Sequence, residues 1–169
     1  MAVLDFLTKK VRYSAIYPLL EKVEVEYDRP LKVLDAGGAA GDFHKILRER
    51  GHDVLVCDID EKADLVVDFE KSLPFNDNEF DLAVSLAVVE HLYNWNLFLK
   101  ELKRVSSSVI ITTPTPLGKP VLDFLAFLNL VNREHIKDHK YYLRKEDIEG
   151  AGYKYETFLF GLNSKGYIL

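Results

Sequence analysis

The chain has 169 residues, a length that suits one domain with a real hydrophobic core. Its 22 Lys and Arg stand against 27 Asp and Glu, and the net charge of -5 argues against strong electrostatic binding to nucleic acid. One cysteine excludes an internal disulfide and fits a reducing compartment, and no segment is long and apolar enough to span a bilayer.

The first ten residues lack the basic-then-apolar pattern of a secretory signal, so the sequence predicts a soluble, cytoplasmic protein. Within residues 1–30, Leu4, Leu7, Val11, Ala15 and Leu19 recur at helical spacing, and Pro18 is expected to kink or end that amphipathic helix. Val33 and Leu34 then open a buried strand that runs into Asp35-Ala36-Gly37-Gly38-Ala39-Ala40-Gly41-Asp42-Phe43. This is a tight turn of small residues followed by a helix to about Arg50, with Asp42 expected to bond free N–H groups of its first turn. Asp53 to Cys57 reads as a second strand ending at Asp58. Only residues 59–63 separate it from a third strand, Asp64 to Asp68, so no crossover helix fits there. Ser72-Leu73-Pro74-Phe75 and a turn at 76–79 lead to a fourth strand over Phe80 to Ser85, followed by Val89-Glu90-His91-Leu92.

Trp95 to Val105 reads as a helix with Leu97, Phe98, Leu102 and Val105 inward. Ser106 to Ser108 are expected in the turn before a fifth strand, Val109 to Thr113, which Pro114 and Pro116 stop. Val121 to Val131 is helical in pattern but apolar on nearly every side, so an acceptor pocket, a second subunit or a membrane surface is expected to cover it. Arg144 to Gly150 is the last helix, and Gly152 its exit. Tyr153 to Phe160 and Lys165 to Leu169 form a closing hairpin through Gly161-Leu162-Asn163. Strands alternating with helices imply an α/β fold.

The turn at Gly37 selects among ligands. A strand-to-helix turn without bulky side chains is where an open α/β sheet holds a nucleotide-like molecule. A dinucleotide fold needs G-x-G-x-x-G, but here the second position is Ala39 and the third is Asp42. A carboxylate at the helix start disfavours a pyrophosphate, and with it a nicotinamide-dependent enzyme. It tolerates a cationic ligand without phosphates, such as S-adenosylmethionine.

Val33 to Gly41 resembles the D-x-G-x-G-x-G motif of class I S-adenosylmethionine-dependent methyltransferases, with Ala39 at the middle glycine. The "LPF…FD" segment and the Glu90-His91 pair look like the compact small-molecule branch, the type 11-like enzymes. The resemblance covers Lys32 to Pro116 closely and Glu134 to Tyr153 more loosely. It implies a Rossmann-like, mostly parallel seven-stranded sheet of order 3-2-1-4-5-7-6 with one antiparallel strand and helices on both faces. It implies one domain over 1–169, with residues 1–30 as an N-terminal helical segment and 117–142 as an acceptor-side lid. For the cofactor it points to Asp35, Ala36, Gly37, Gly38 and Gly41 around the methionine end. Asp58, which falls 21 residues after Gly37, is the ribose acid with Ile59 beside it. Asp68 and Phe69 are placed at the adenine, and Ser85 and Leu86 near the methionine moiety. Asp81 is read as structural.

On the acceptor side the resemblance points to Glu90, His91 and His135. His91 as general base on an acceptor hydroxyl stands beside a plainer reading, in which Glu90 caps the next helix and His91 makes one structural hydrogen bond. Ubiquinone-type O-methyltransferases and small-RNA 2′-O-methyltransferases look similar here, with a metal on E-x-x-E-H and a later histidine. This chain offers His135 or His139 but has Ala87 at the first glutamate, so no metal is expected. Ser85-Leu86-Ala87-Val88 stands where amino-methylating enzymes carry [DN]-P-P-[YF], which disfavours amide and adenine acceptors. The expected partner is a small-molecule acceptor, with no nucleic acid, and a homodimer through 121–131 is possible. The competing class is a non-catalytic S-adenosylmethionine-binding subunit of another protein.

Overall fold

In a computed structural model, residues 4–169 are described, with Asp5 and His135 described by their backbone alone. Seven strands form one sheet in the order β3-β2-β1-β4-β5-β7-β6. They are β1 (Lys32–Ala36), β2 (Asp53–Asp58), β3 (Leu65–Val66), β4 (Phe80–Leu86), β5 (Ser106–Pro114), β6 (Lys154–Phe158) and β7 (Asn163–Ile168). β7 alone runs antiparallel to its neighbours. The helices are α1 (Asp5–Tyr27), α2 (Phe43–Glu49), α3 (Trp95–Val105), α4 (Lys119–Phe127), α5 (Arg133–Lys137) and α6 (Lys145–Gly150). The expected Rossmann-like topology and strand order are those observed.

The two faces of the sheet carry separate cores. On one, α1 and α2 bury Ile16, Leu20, Val23, Phe43 and Leu47 against Val33, Leu82, Val84 and Ile110. On the other, Phe98, Leu99 and Leu102 of α3 pack with Leu34, Ala83, Val109 and Ile148. β1 and β4, central in the sheet, are buried on both faces, which is why their sequences read as continuous apolar runs.

Several local expectations give way to tertiary contacts. Pro18 does not end α1, which continues to Tyr27, and the residue itself lies on the exposed side. The buried stripe of α1 is Tyr13, Ile16, Leu19, Leu20 and Val23, so Leu19 is inward as expected while Leu7 is exposed. The third strand shrinks to two residues, and before it the Asp64 carboxylate accepts from Val56 N–H at 2.9 Å and Arg48 at 2.6 Å. Ser106 to Ser108 belong to β5 rather than to a turn, pairing with Phe80 and Leu82 of β4. Leu99, not Leu97, completes the inner face of α3. The hairpin turns at residues 159–162, beginning two positions earlier than expected, with Leu159, Phe160 and Gly161 all in the left-handed region.

Polar clamps hold the loops that border the crevice. The Glu101 carboxylate accepts from Leu73 N–H at 2.8 Å and from Arg104, whose guanidinium also reaches Asp77 and the carbonyls of Leu73 and Phe75. This pair fixes the segment between β3 and β4. Asp81 receives Lys32 N–H and a bidentate Arg29, as its structural reading expects.

Candidate cofactor and acceptor sites

The strand order reverses between β1 and β4, and the crevice beyond their C-terminal ends is where open α/β sheets bind ligands. β1 delivers Asp35 and Ala36 there, both buried. Gly37 follows with φ +90°, and its N–H donates to the Cys57 carbonyl at 2.7 Å. A Cβ at Gly37 would lie 2.2 Å from Val88 Cγ2, so this backbone approach needs glycine twice over. A Cβ on Gly38 would fall 2.4 Å from the Asp35 carboxylate. Gly41 closes the turn through its N–H to the Gly38 carbonyl.

Asp58 ends β2 facing this loop, and its carboxylate accepts from Ala39 N–H at 3.1 Å and Asp60 N–H at 3.2 Å. Ile59 beside it is largely exposed. Asp68 is partly exposed, accepting from Glu70 N–H and pairing with Lys71. Phe69 faces inward instead, its ring 4.8 Å from that of Phe98, so it contributes to the core rather than to an open surface. Ser85 is buried and Leu86 partly so, both at the C-terminal end of β4. Ala87 follows in the left-handed region with its N–H on the Thr112 carbonyl, and this turns the chain so that Glu90 and His91 follow in a short 3-10 turn.

Two expectations here are corrected. Asp42 does not cap α2; its carboxylate accepts from the Tyr13 hydroxyl at 2.7 Å and from Lys9 at 3.0 Å, because α1 passes across this end of the sheet. Glu90 does not cap α3 either. Glu70 instead holds the turn that leads into α3, accepting from the N–H groups of Tyr93 and Asn94 at 2.8 and 2.9 Å. His91 does make a hydrogen bond, from Nδ1 to Asp138 at 3.2 Å. The His135 side chain lies outside the described residues. Sequence reasoning passed over His44, which sits in the first turn of α2 with Nδ1 3.8 Å from Asp35 Oδ2. It also left out Arg12, a near neighbour of Glu90 in charge.

Among the described residues, the buried side-chain atoms without a hydrogen-bond partner are Asp35 Oδ2, His44 Nδ1, Ser85 Oγ, both Glu90 carboxylate oxygens and the hydroxyls of Thr112 and Thr113. All belong to the C-terminal ends of β1, β4 and β5, to the short turn after β4 or, for His44, to the first turn of α2. Native proteins rarely leave such groups unpaired, and a cluster of them marks a place built for something polar. Burial, with Asp58 nearby, pushes the Asp35 carboxyl up to about 7. Burial likewise raises the Glu90 carboxyl and lowers the neighbouring Arg12 and His44.

Residues 34–108, from the middle of β1 to the start of β5, match a family model described as a methyltransferase domain, the type 11 group. The chain is similar to several solved structures across most of its length. The PH0226 protein of Pyrococcus horikoshii is 18% identical, with a TM-score of 0.63 over 92% of this chain and 89% of that one. Magnesium protoporphyrin IX methyltransferase of Synechocystis, solved with bound S-adenosylhomocysteine, is 18% identical, with a TM-score of 0.62 over 96% and 86%. A Haloferax volcanii methyltransferase in complex with the Trm112 activator is 14% identical, with a TM-score of 0.62 over 98% and 94%. No curated protein sequence matches. Residues 34–108 thus resemble a methyltransferase domain, set in a sheet whose strand order is that of the Rossmann-like methyltransferase fold of these structures.

Proposed function

We propose that this chain transfers a methyl group from S-adenosylmethionine to a small-molecule acceptor. The observation that carries the reading is the gathering of unpaired buried polar atoms at the strand-order switch, beside a glycine loop that side chains would fill. The residues present fit that cofactor. Asp35 is an acid set to receive a cationic amino group, Gly37 and Gly38 admit the methionine portion, and Asp58 is the ribose acid, with Asp68 at the adenine side. Ser85 and Leu86 border the methionine end. The bound sulfonium supplies an already activated methyl group. The chain's own contribution is then to align an acceptor in line with that carbon and to exclude water.

Glu90, His91 and His135 are the acceptor-side residues of this proposal. The whole chain acts as one domain, with 1–30 and 117–142 bordering the acceptor side. The exposure of Val121, Phe124 and Phe127 of α4 favours a lipid-like or otherwise partly hydrophobic acceptor. No described helix is long and apolar enough to cross a membrane. The same exposed face supports a second reading, in which 121–131 packs on a second copy or on an activating partner.

Calorimetric titration of the chain with S-adenosylmethionine and S-adenosylhomocysteine tests the proposal. Micromolar binding is expected, and Asp58→Ala is expected to weaken it at least tenfold, about 1.4 kcal/mol. Absence of binding by the folded wild type would remove the enzyme reading for the isolated chain and favour the partner.

A further inference from the structure

Large exposed apolar side chains concentrate on three segments. Leu117, Val121, Phe124 and Leu128 recur at helical spacing along α4 and its two flanks, and Phe127 beside them is 75% exposed. Phe160 stands in the turn of the β6–β7 hairpin, 95% exposed. Phe6 and Leu7 open α1. Hydrogen bonds bring the other two segments to the two ends of α4. Thr115 N–H donates to the Leu162 carbonyl at 3.0 Å and the Thr115 hydroxyl to the Gly161 carbonyl at 2.6 Å, which fastens the hairpin turn to the approach of α4. Leu4 N–H donates to the Leu130 carbonyl at 2.9 Å, which fastens the start of α1 to the segment after α4. Leu159 and Phe160 both hold left-handed backbone, a conformation costly for residues with a Cβ, and here it delivers Phe160 to solvent rather than to the core. Apolar side chains gathered in this way mark an interaction surface, whereas single exposed ones do not.

The charge around this surface is opposite to that of the rest of the chain. Residues 4–12 and 117–142 hold seven Lys and Arg against four Asp and Glu, and the remainder holds fifteen against twenty-three. Lys10, Lys119, Arg133 and Lys137 are exposed. Phe127, Arg133, Ile136 and Lys137 line a shallow hollow between α4 and α5, bordered by Asp123, which is paired with Lys119. Two cations over an apolar floor match a lipid phosphate with its acyl chains beneath. We infer that α4, with the hairpin turn and the start of α1, docks on an anionic lipid bilayer. α4 has nine residues and lies in the interface rather than crossing it. Its aromatic rings enter the headgroup region while Lys10, Arg133 and Lys137 meet lipid phosphates. The same surface repels the acidic remainder of the chain, which sets the orientation. A two-fold interface between copies through this face would instead set its cations against the same cations. Uptake of a bilayer-dissolved acceptor rests on the methyl-transfer proposal; the docking does not.

The test is co-sedimentation of the full chain with vesicles of equal parts phosphatidylcholine and phosphatidylglycerol, against vesicles of phosphatidylcholine alone. Binding to the mixed vesicles is expected, falling as salt rises, with binding to the neutral ones roughly tenfold weaker or less. Phe124→Ser with Phe127→Ser, and Arg133→Glu with Lys137→Glu, are two double variants at exposed positions. Each is expected to weaken binding roughly tenfold or more with the circular dichroism unchanged. No binding by the wild type, equal binding to neutral vesicles, or unchanged binding by either folded variant overturns the inference. So does a stable dimer in light scattering that the Phe124→Ser, Phe127→Ser variant dissolves, which assigns the face to a second copy. Titration with S-adenosylhomocysteine on the same samples keeps the two readings apart: cofactor binding without vesicle binding removes the docking alone, and the converse removes the methyltransferase alone.

Discussion

Gly37→Ala is expected to lower affinity for S-adenosylhomocysteine at least a hundredfold, about 2.7 kcal/mol, and to destabilise the fold by about 3 kcal/mol. Two costs combine. A φ of +90° is unfavourable for any residue with a Cβ, and the new methyl would stand 2.2 Å from Val88 Cγ2. Relief requires Val88 to move, yet Val88 directly precedes the turn of Glu90 and His91. The substitution therefore disturbs the cofactor loop and the acceptor side together. Adding Val88→Ala should recover part of the stability but little of the affinity, because the backbone strain persists. Calorimetry and denaturant unfolding of the two variants measure both effects, and affinity within threefold of wild type for Gly37→Ala would contradict the account.

Asp35→Asn should change stability and binding in opposite directions. The Asp35 carboxyl stands at about 7 in the folded chain, raised from 3.8 first by burial and then by Asp58. A group whose pKa is raised on folding holds its proton in the folded state after the unfolded state has lost it. Its stability contribution is complete below about pH 4 and is lost as pH rises to about 7. The shift corresponds to about 4 kcal/mol at most. Asn carries no charge, so the variant should melt higher than wild type at pH 8 and show a smaller loss of stability between pH 4 and 7. Binding should move the other way, since a cationic ligand favours the carboxylate and expels its proton. Wild-type affinity for S-adenosylmethionine should improve toward tenfold per pH unit between about 5 and 7 and then level off. In Asp35→Asn the affinity should be weak and nearly independent of pH. His44, Arg48 and Asp58 are the other charged or titratable groups acting on this carboxyl, and an unchanged pH profile in Asp35→Asn would assign the titration to one of them.

The backbone of the candidate cofactor crevice was legible because its determinants are local. The glycine turn, the acid that ends β2 and the short connection to β3 all lie within about thirty residues and follow from backbone geometry. What escaped depends on distant elements. Asp42 had the sequence of a helix cap, but α1 brings Lys9 and Tyr13 to it from about thirty positions away. Glu70 holds the turn before α3 from 23 and 24 positions away, and nothing in its neighbours announces that role. Ser106 to Ser108 looked like a turn by composition, yet parallel pairing with β4 recruits them into the sheet. The contact between His91 and His139 spans 48 positions and depends on the Glu90 carbonyl holding the later segment in place. The apolar pattern of 121–131 was visible, but its covering was not, because Phe124 and Phe127 remain on the surface.

The most direct test of the central claim is a crystal grown with S-adenosylhomocysteine. The account predicts the ligand beyond the C-terminal ends of β1 and β4, with its amino group on the Asp35 side of the Gly37 loop and its ribose hydroxyls on Asp58. Density for the ligand elsewhere, or a crevice that excludes it at saturating concentration, would contradict that claim.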